Sequence, residues 1–70
     1  MNYRDMLASL KTNCITQLAR RSSWVDLTDK VAYVPELGTL EKRENGKWIP
    51  YYVNEEDGTA TDWELTSPYV

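Results

Sequence analysis

Chemistry at neutral pH needs a nucleophile beside a base, a bound metal, or two carboxylates with separated pKa values. This chain offers little of that. It has no histidine and one cysteine, Cys14. A lone thiol cannot form an internal disulfide, and without histidine it cannot build a zinc site drawn from Cys and His ligands. Cys14 falls after a predicted helix end, away from the positive dipole end that activates thiolates, and reads as a small buried hydrophobe. Glu55, Glu56 and Asp57 form an acidic run, but NEEDGTATDWEL lacks the alternating oxygen ligands of a calcium loop. GTLEKRENGK has too few glycines, and no Gly-Lys-Thr, to cradle a phosphate. The expectation is a non-enzyme with no catalytic residue, metal site or cofactor.

Binding chemistry is better represented. The chain has three Trp, five Tyr and no Phe. Tyr and Trp combine a large apolar body with a polar tip, which suits interfaces and pockets as well as cores. Arg20 and Arg21 are adjacent, so on a strand they face opposite sides, and one can point toward a phosphate. Trp24 lies in the polar stretch RRSSWVDLTD, where a pocket or an interface is as natural as a core. In ATDWEL, Trp63 reads as the core peg of a last strand, with Asp62 and Glu64 on the opposite face.

The elements that must position these residues follow from periodicity. Residues 2 to 13 predict a helix: Asn2 as N-cap, Asp5 near the positive dipole end, and Tyr3, Met6, Leu7 and Leu10 on one apolar face. Lys11 suits the last turn and Asn13 the stop. Residues 15 to 21 predict a strand, 25 to 30 a loop, and 31 to 34 a strand closed by Pro35. The clearest local signal is Asn45–Gly46, favoured in a two-residue type I′ turn because both residues need positive φ. It pairs Glu44 with Lys47, Arg43 with Trp48, Lys42 with Ile49 and Leu40 with Tyr51, and suggests a cation–π contact of Arg43 on Trp48. Asn54 can accept from the Asp57 N–H and start one short helical turn that Gly58 ends. Residues 61 to 66 predict a final strand, and Ser67 onward a tail. The sum is an α+β fold over 1–70 as a single domain: one N-terminal helix packed on an antiparallel sheet of four to five strands.

Seventy residues bury only about 60% of the surface that the unfolded chain exposes. Disulfide and metal being excluded, a homo-oligomer, dimer or tetramer, is the expected source of further burial. A net charge of −3 argues against wrapping DNA or RNA, where phosphate neutralisation drives binding. No apolar run approaches the roughly 20 residues of a membrane span. MNYRDMLASL lacks the basic and apolar regions of a signal peptide, so a soluble protein of a reducing compartment is expected.

Several of these features stand in a telling order. The helix MNYRDMLASLK is followed by Ala19–Arg20, Trp24, KVAYVP, a hairpin, Pro50–Tyr51, then Asp57, Ala60 and Asp62–Trp63–Glu64. This resembles the Thoeris anti-defence protein two family, small phage and prophage proteins. The family pattern runs from F-x-x-A-L-x-x-L-K through A-R-x-x-W to D-L-L-A-x-D-W. Tyr3 and Met6 stand for the first aromatic and alanine, and Gly58–Thr59 for the apolar pair. One additional residue separates Arg20 from Trp24, so Arg21 can be the matching arginine. The resemblance implies an oligomeric sponge in the bacterial host cytoplasm. Such a sponge holds a nucleotide-derived immune signal without cleaving it, notably the cyclised ADP-ribose of Thoeris, and for some members the cyclic dinucleotides of CBASS.

A site of that kind needs a flat surface for a purine, arginine forks for phosphates and acceptors for ribose hydroxyls. Trp24 and Tyr51 would stack, Arg20 or Arg21 would meet phosphate, and Asn54, Asp57 and Asp62 would read polar groups. A useful sponge binds at nanomolar concentration, about −12 kcal/mol. So small a chain hardly encloses such a ligand, which points to a pocket between subunits. The alternative is a small acidic protein-binding module that inhibits a host enzyme directly.

Overall fold

Asn2 starts the first helix as its residue type predicts. Its side chain accepts the Asp5 N–H at 2.8 Å, and α1 runs Tyr3–Thr12 with Asp5 in the first turn and Lys11 in the last. In the computed structural model, which describes residues 1–67, five strands follow. The tail expected beyond Ser67 lies outside the described residues.

β1 is Leu18–Arg21, β2 Lys30–Val34, β3 Thr39–Glu44, β4 Lys47–Tyr51 and β5 Trp63–Thr66, with a short helix α2, Glu55–Thr59, between the last two. The sheet is antiparallel throughout, in the order β4-β3-β2-β1-β5. The chain therefore leaves one edge at Tyr51 and returns to the other at Trp63, with α2 in the crossing. The N-terminal helix on this sheet is the predicted α+β fold.

The hairpin register matches the prediction at all four pairs, with Asn45 at φ 52° and Gly46 at φ 78°. Arg43 and Trp48 are cross-strand neighbours, but the cation–π contact on this hairpin is a different one. Lys42 Nζ sits 4.3 Å from the centre of the Trp24 ring. Lys42 shares the inner face with Val31 and Ile49, where the large rings are, while Arg43 and Trp48 point outward.

Three other boundaries differ. The first strand begins at Leu18 and not near residue 15, because the Asn13 carbonyl accepts the N–H groups of Thr16 and Gln17 at 3.1 and 3.0 Å. Those bonds close a turn, and Ile15 is left 82% exposed. The last strand begins at Trp63 and not at Thr61. Nor does Gly58 end the short helix. Glu55–Thr59 is helical through it, and Ala60 breaks out at extended φ and ψ. Cys14 is half-buried rather than fully packed.

Residues paired across an antiparallel ladder share a face. Ala19, Val31, Leu40 and Trp63 therefore project inward, and with Met6 and Leu10 of α1 they form the buried core. α1 lies over β1, β2 and β5. It does not extend over the β3–β4 hairpin in the same way, which leaves part of the inner face open. Both sheet edges are blunted. Pro50, which lacks an N–H, sits on edge strand β4, and Met1 exchanges main-chain hydrogen bonds with Trp63 on β5 at 2.8 and 3.1 Å. No helix is long and apolar enough to cross a membrane among the described residues.

Candidate functional site

Five of the seven predicted site residues, Arg21, Tyr51, Asn54, Asp57 and Asp62, fall into one connected network at the ends of β1, β4 and β5. Asn54 caps α2 by accepting the Asp57 N–H at 2.7 Å, which fixes where Asp57 points. Asp57 is buried, and one carboxylate oxygen accepts Arg21 Nη1 at 3.0 Å while the other accepts the Tyr51 hydroxyl. The Asp57 carbonyl takes the indole N–H of Trp63 at 2.9 Å. Arg21 Nε donates to Asp62 at 2.8 Å, and Nη1 also reaches Glu56 at 3.3 Å. Asp62 Oδ2 accepts the Ser23 N–H at 3.1 Å. One arginine and one buried aspartate thus tie three strands and α2 together.

The electrostatics follow from these bonds. Hydrogen bonds to Asp62 and then Asp57 push the Arg21 guanidinium further above its already high value. Arg21, and secondarily Ser23, hold the Asp62 carboxyl well below the usual carboxylate range. Burial, reinforced by Asp57, pushes the Tyr51 phenol up.

Arg20 faces the other side of the sheet, as adjacency requires. Nη1 pairs with Glu64 at 3.0 Å and Nη2 with the Trp24 carbonyl at 2.8 Å, leaving Arg20 only 7% exposed. Neither arginine is a solvated surface residue. Trp24 is half-buried: its ring meets Trp63 edge-on at 5.5 Å and 77°, with Lys42 on its face. Trp63 is the core peg that ATDWEL suggests, packed also against Tyr3 at 5.9 Å. Asp62 precedes the strand, so alternation does not govern it. It turns back to Arg21, while Glu64 takes the outward face with Arg20.

Arg21, Tyr51, Asn54, Asp57 and Asp62 thus meet in one network while Arg20 and Trp24 lie outside it, and each of the seven is engaged by a partner within the chain. Arg20, Arg21, Asp57 and Asp62 are ion-paired, Asn54 is a cap, Tyr51 donates to Asp57, and Trp24 is sandwiched between a ring and a cation. The region is a clasp first. A ligand that used its charged groups would have to compete with bonds already made.

The concave surface of the molecule lies next to it. Between α1 and the hairpin runs a groove of about 690 Å³, floored by Leu40 and rimmed by Leu37 and Val53. Tyr3, Tyr33, Tyr51 and Tyr52 all line it, with Lys11 from α1 and Glu41 from β3. Only Tyr51 belongs to both regions. Its hydroxyl is spent on Asp57, whereas those of Tyr3, Tyr33 and Tyr52 have no partner among the described residues. Burial raises the Tyr3 phenol pKa. Lys11 Nζ stands 6.0 Å from the Tyr33 ring centre and makes no ion pair among the described residues. Tyr3, Tyr33, Tyr52 and Lys11 were not legible as site residues. Tyr3 and Lys11 have ordinary helix roles, and the one available signal was the use of Tyr in place of every Phe.

No cluster of three or more potential metal ligands occurs among the described residues. No protein-family model matches this chain, and comparisons with curated proteins and with solved structures give no match.

Proposed function

We propose that this protein sequesters, without cleaving it, a nucleotide-derived immune signal, either the cyclised ADP-ribose of Thoeris or a cyclic dinucleotide of CBASS. In this reading it is a phage anti-defence sponge acting in the bacterial host cytoplasm. The observation that carries it is the convergence of Tyr3, Tyr33, Tyr51 and Tyr52 on one groove. Aromatic faces stack on any base, at roughly 1–3 kcal/mol each. The groove's volume of about 690 Å³ lies within the ~300–1,000 Å³ typical of small-molecule sites. The order of motifs from MNYRDMLASLK to Asp62–Trp63–Glu64 supports the same reading.

The groove is open along one side, so a second copy of the chain is the natural cover for a ligand larger than a mononucleotide. The sponge is then a homo-oligomer with its pockets completed between subunits. Arg20, Arg21 and Trp24 lie outside the groove lining, so in this reading they act through the fold and not as ligand contacts.

The test is depletion. Purified protein is mixed with isomers of cyclised ADP-ribose and with cyclic dinucleotides, removed by filtration, and heated to release what it holds. One signal should vanish from solution and return intact. If none is depleted, the sponge reading fails; if the signal returns cleaved, the protein is an enzyme. Native mass spectrometry addresses assembly separately, and a stable monomer at micromolar concentration would exclude pockets shared between subunits.

A second reading, an acidic module that inhibits a host enzyme, draws on one feature. Val25 and Leu27 are 98% and 74% exposed in the loop that also carries Asp26 and Asp29. It predicts that no nucleotide is depleted and that Val25→Ser with Leu27→Ser abolishes the inhibition.

A further inference from the structure

We infer that the groove between α1 and the β3–β4 hairpin binds a planar aromatic ring that carries one anionic group, with the ring against Tyr33 and Tyr52 and the anion on Lys11. The inference deepens the sequestration reading and rests on it only for the identity of the natural ligand, whose base, ribose and first phosphate would be the part held.

Three observations argue for it. First, Tyr33, Tyr52 and Lys11 offer uncommitted polar groups in the groove, whereas the charged side chains of the clasp are ion-paired. The Tyr33 and Tyr52 hydroxyls and the Lys11 ammonium have no hydrogen-bond or ion-pair partner among the described residues, so a ligand gains hydrogen bonds and an ion pair there without breaking one. Second, the charge inventory is small. Among the described residues of the lining Lys11 is the basic one and Glu41 the acidic one, so each copy of the groove offers one cation to one phosphate. The lining fits a ring with a single phosphate or carboxylate. Third, the floor is buried while the rim is exposed. Leu40 is buried in the core at 8% exposure, whereas Tyr52 is 84% exposed and presents its ring to an incoming ligand.

Lys11 Nζ lies over the Tyr33 ring at 6.0 Å from its centre, so the groove already places a cation on an aromatic face. A ring seated against Tyr33 carries its substituents toward that ammonium.

The experiment is an amide NMR titration of the full chain with adenosine monophosphate and, separately, with adenosine. Both should shift the amides of Lys11, Gly38, Thr39 and Tyr52, and the monophosphate should bind about fivefold tighter, the upper end for one exposed ion pair. Lys11→Gln should bring the monophosphate to the level of adenosine and leave adenosine unchanged. Tyr52→Ala should weaken both by about tenfold, as loss of one stacking surface implies. Lys11 and Tyr52 are exposed, so neither change threatens the fold. The inference is overturned if no groove amide shifts at millimolar ligand, if the shifts centre on Arg20, Arg21 and Trp24, or if Lys11→Gln keeps the preference for the monophosphate.

Failure here and failure of the sponge reading are distinguishable. Depletion of a cyclic signal without groove shifts removes this site and keeps sequestration. Groove binding of the monophosphate without depletion keeps the site and removes sequestration.

Discussion

The clasp and the groove are made of the same residue types, tyrosine, a basic side chain and carboxylates, yet they do opposite things. In the clasp, Arg21 Nε and Nη1 donate to Asp62, Asp57 and Glu56, and the Tyr51 hydroxyl donates to Asp57. In the groove, Lys11 and three tyrosine hydroxyls have no hydrogen-bond or ion-pair partner among the described residues. Burial explains the division. Asp57 is 7% exposed, and a buried carboxylate without partners would carry a large desolvation cost. Lys11 is exposed and needs none. Residue type alone therefore does not separate a structural group from a binding one; what separates them is whether its bonds are already made.

The largest test of that contrast is Trp63→Ala. It removes a buried ring, two ring contacts and the indole bond to the Asp57 carbonyl. A loss of at least about 3–5 kcal/mol is expected. The entire stability of a 70-residue chain is roughly 4–10 kcal/mol, so circular dichroism should show a largely unfolded or barely folded protein at 37 °C. Next is Arg21→Ala, which strands Asp57 in a side chain only 10% exposed. About 3 kcal/mol should be lost in chemical denaturation, the low end for breaking a buried pair. Recovery of most of it in Arg21→Lys would show that charge alone suffices and that the fork geometry joining Asp57 to Asp62 is unimportant.

Titration tests the clasp without mutation. The Asp62 carboxyl is held below its ordinary 3.8 by Arg21, so the folded state binds fewer protons than the unfolded one near that pH. The stability it contributes is full above about pH 5 and is lost as pH falls through 4 and below. Tyr51 works in the other direction. Its phenol is raised above its ordinary 10.0, so its contribution is present below that pH and is lost as pH rises beyond it. Thermal melts should show a plateau between these limits, and Asp62→Asn should flatten the acid side.

Smaller effects bound the comparison. Asn54→Ala removes the α2 cap and should cost about 1 kcal/mol. Tyr52→Ala, on the groove rim, should change stability by no more than about 0.5 kcal/mol while weakening ligand binding. A rim residue that proved as costly as Asn54 would erase the distinction between the two regions.

Much of the fold was legible. Asn2, Asn45–Gly46 and Asn54 act through bonds to residues within a few positions, so their consequences are written locally. The start of the first strand was not, because the turn at Asn13 depends on a carbonyl that outcompetes the β-propensity of Ile15 and Thr16. The candidate site was legible as a set of residues and illegible as a set of roles. Asp57 looked like one member of a solvated acidic run, and only its neighbours on β1, β4 and β5 make it a hub. Asp62 looked available to a ligand for the same reason.

The sequence by itself determined the helix, the hairpin and its register, the core position of Trp63, and the opposite facing of Arg20 and Arg21. All of these follow from 3.6- and 2-residue periods, caps and turn φ angles, which are local. Only the tertiary structure decided which polar groups meet. Arg21 and Asp57 are 36 positions apart, and Tyr3 reaches the rim shared with Tyr52 only because the chain crosses the sheet and folds back. Contacts between distant positions carry no periodic trace, so the pairing that turns one cluster into a clasp and leaves another as a groove appears only once the sheet has formed.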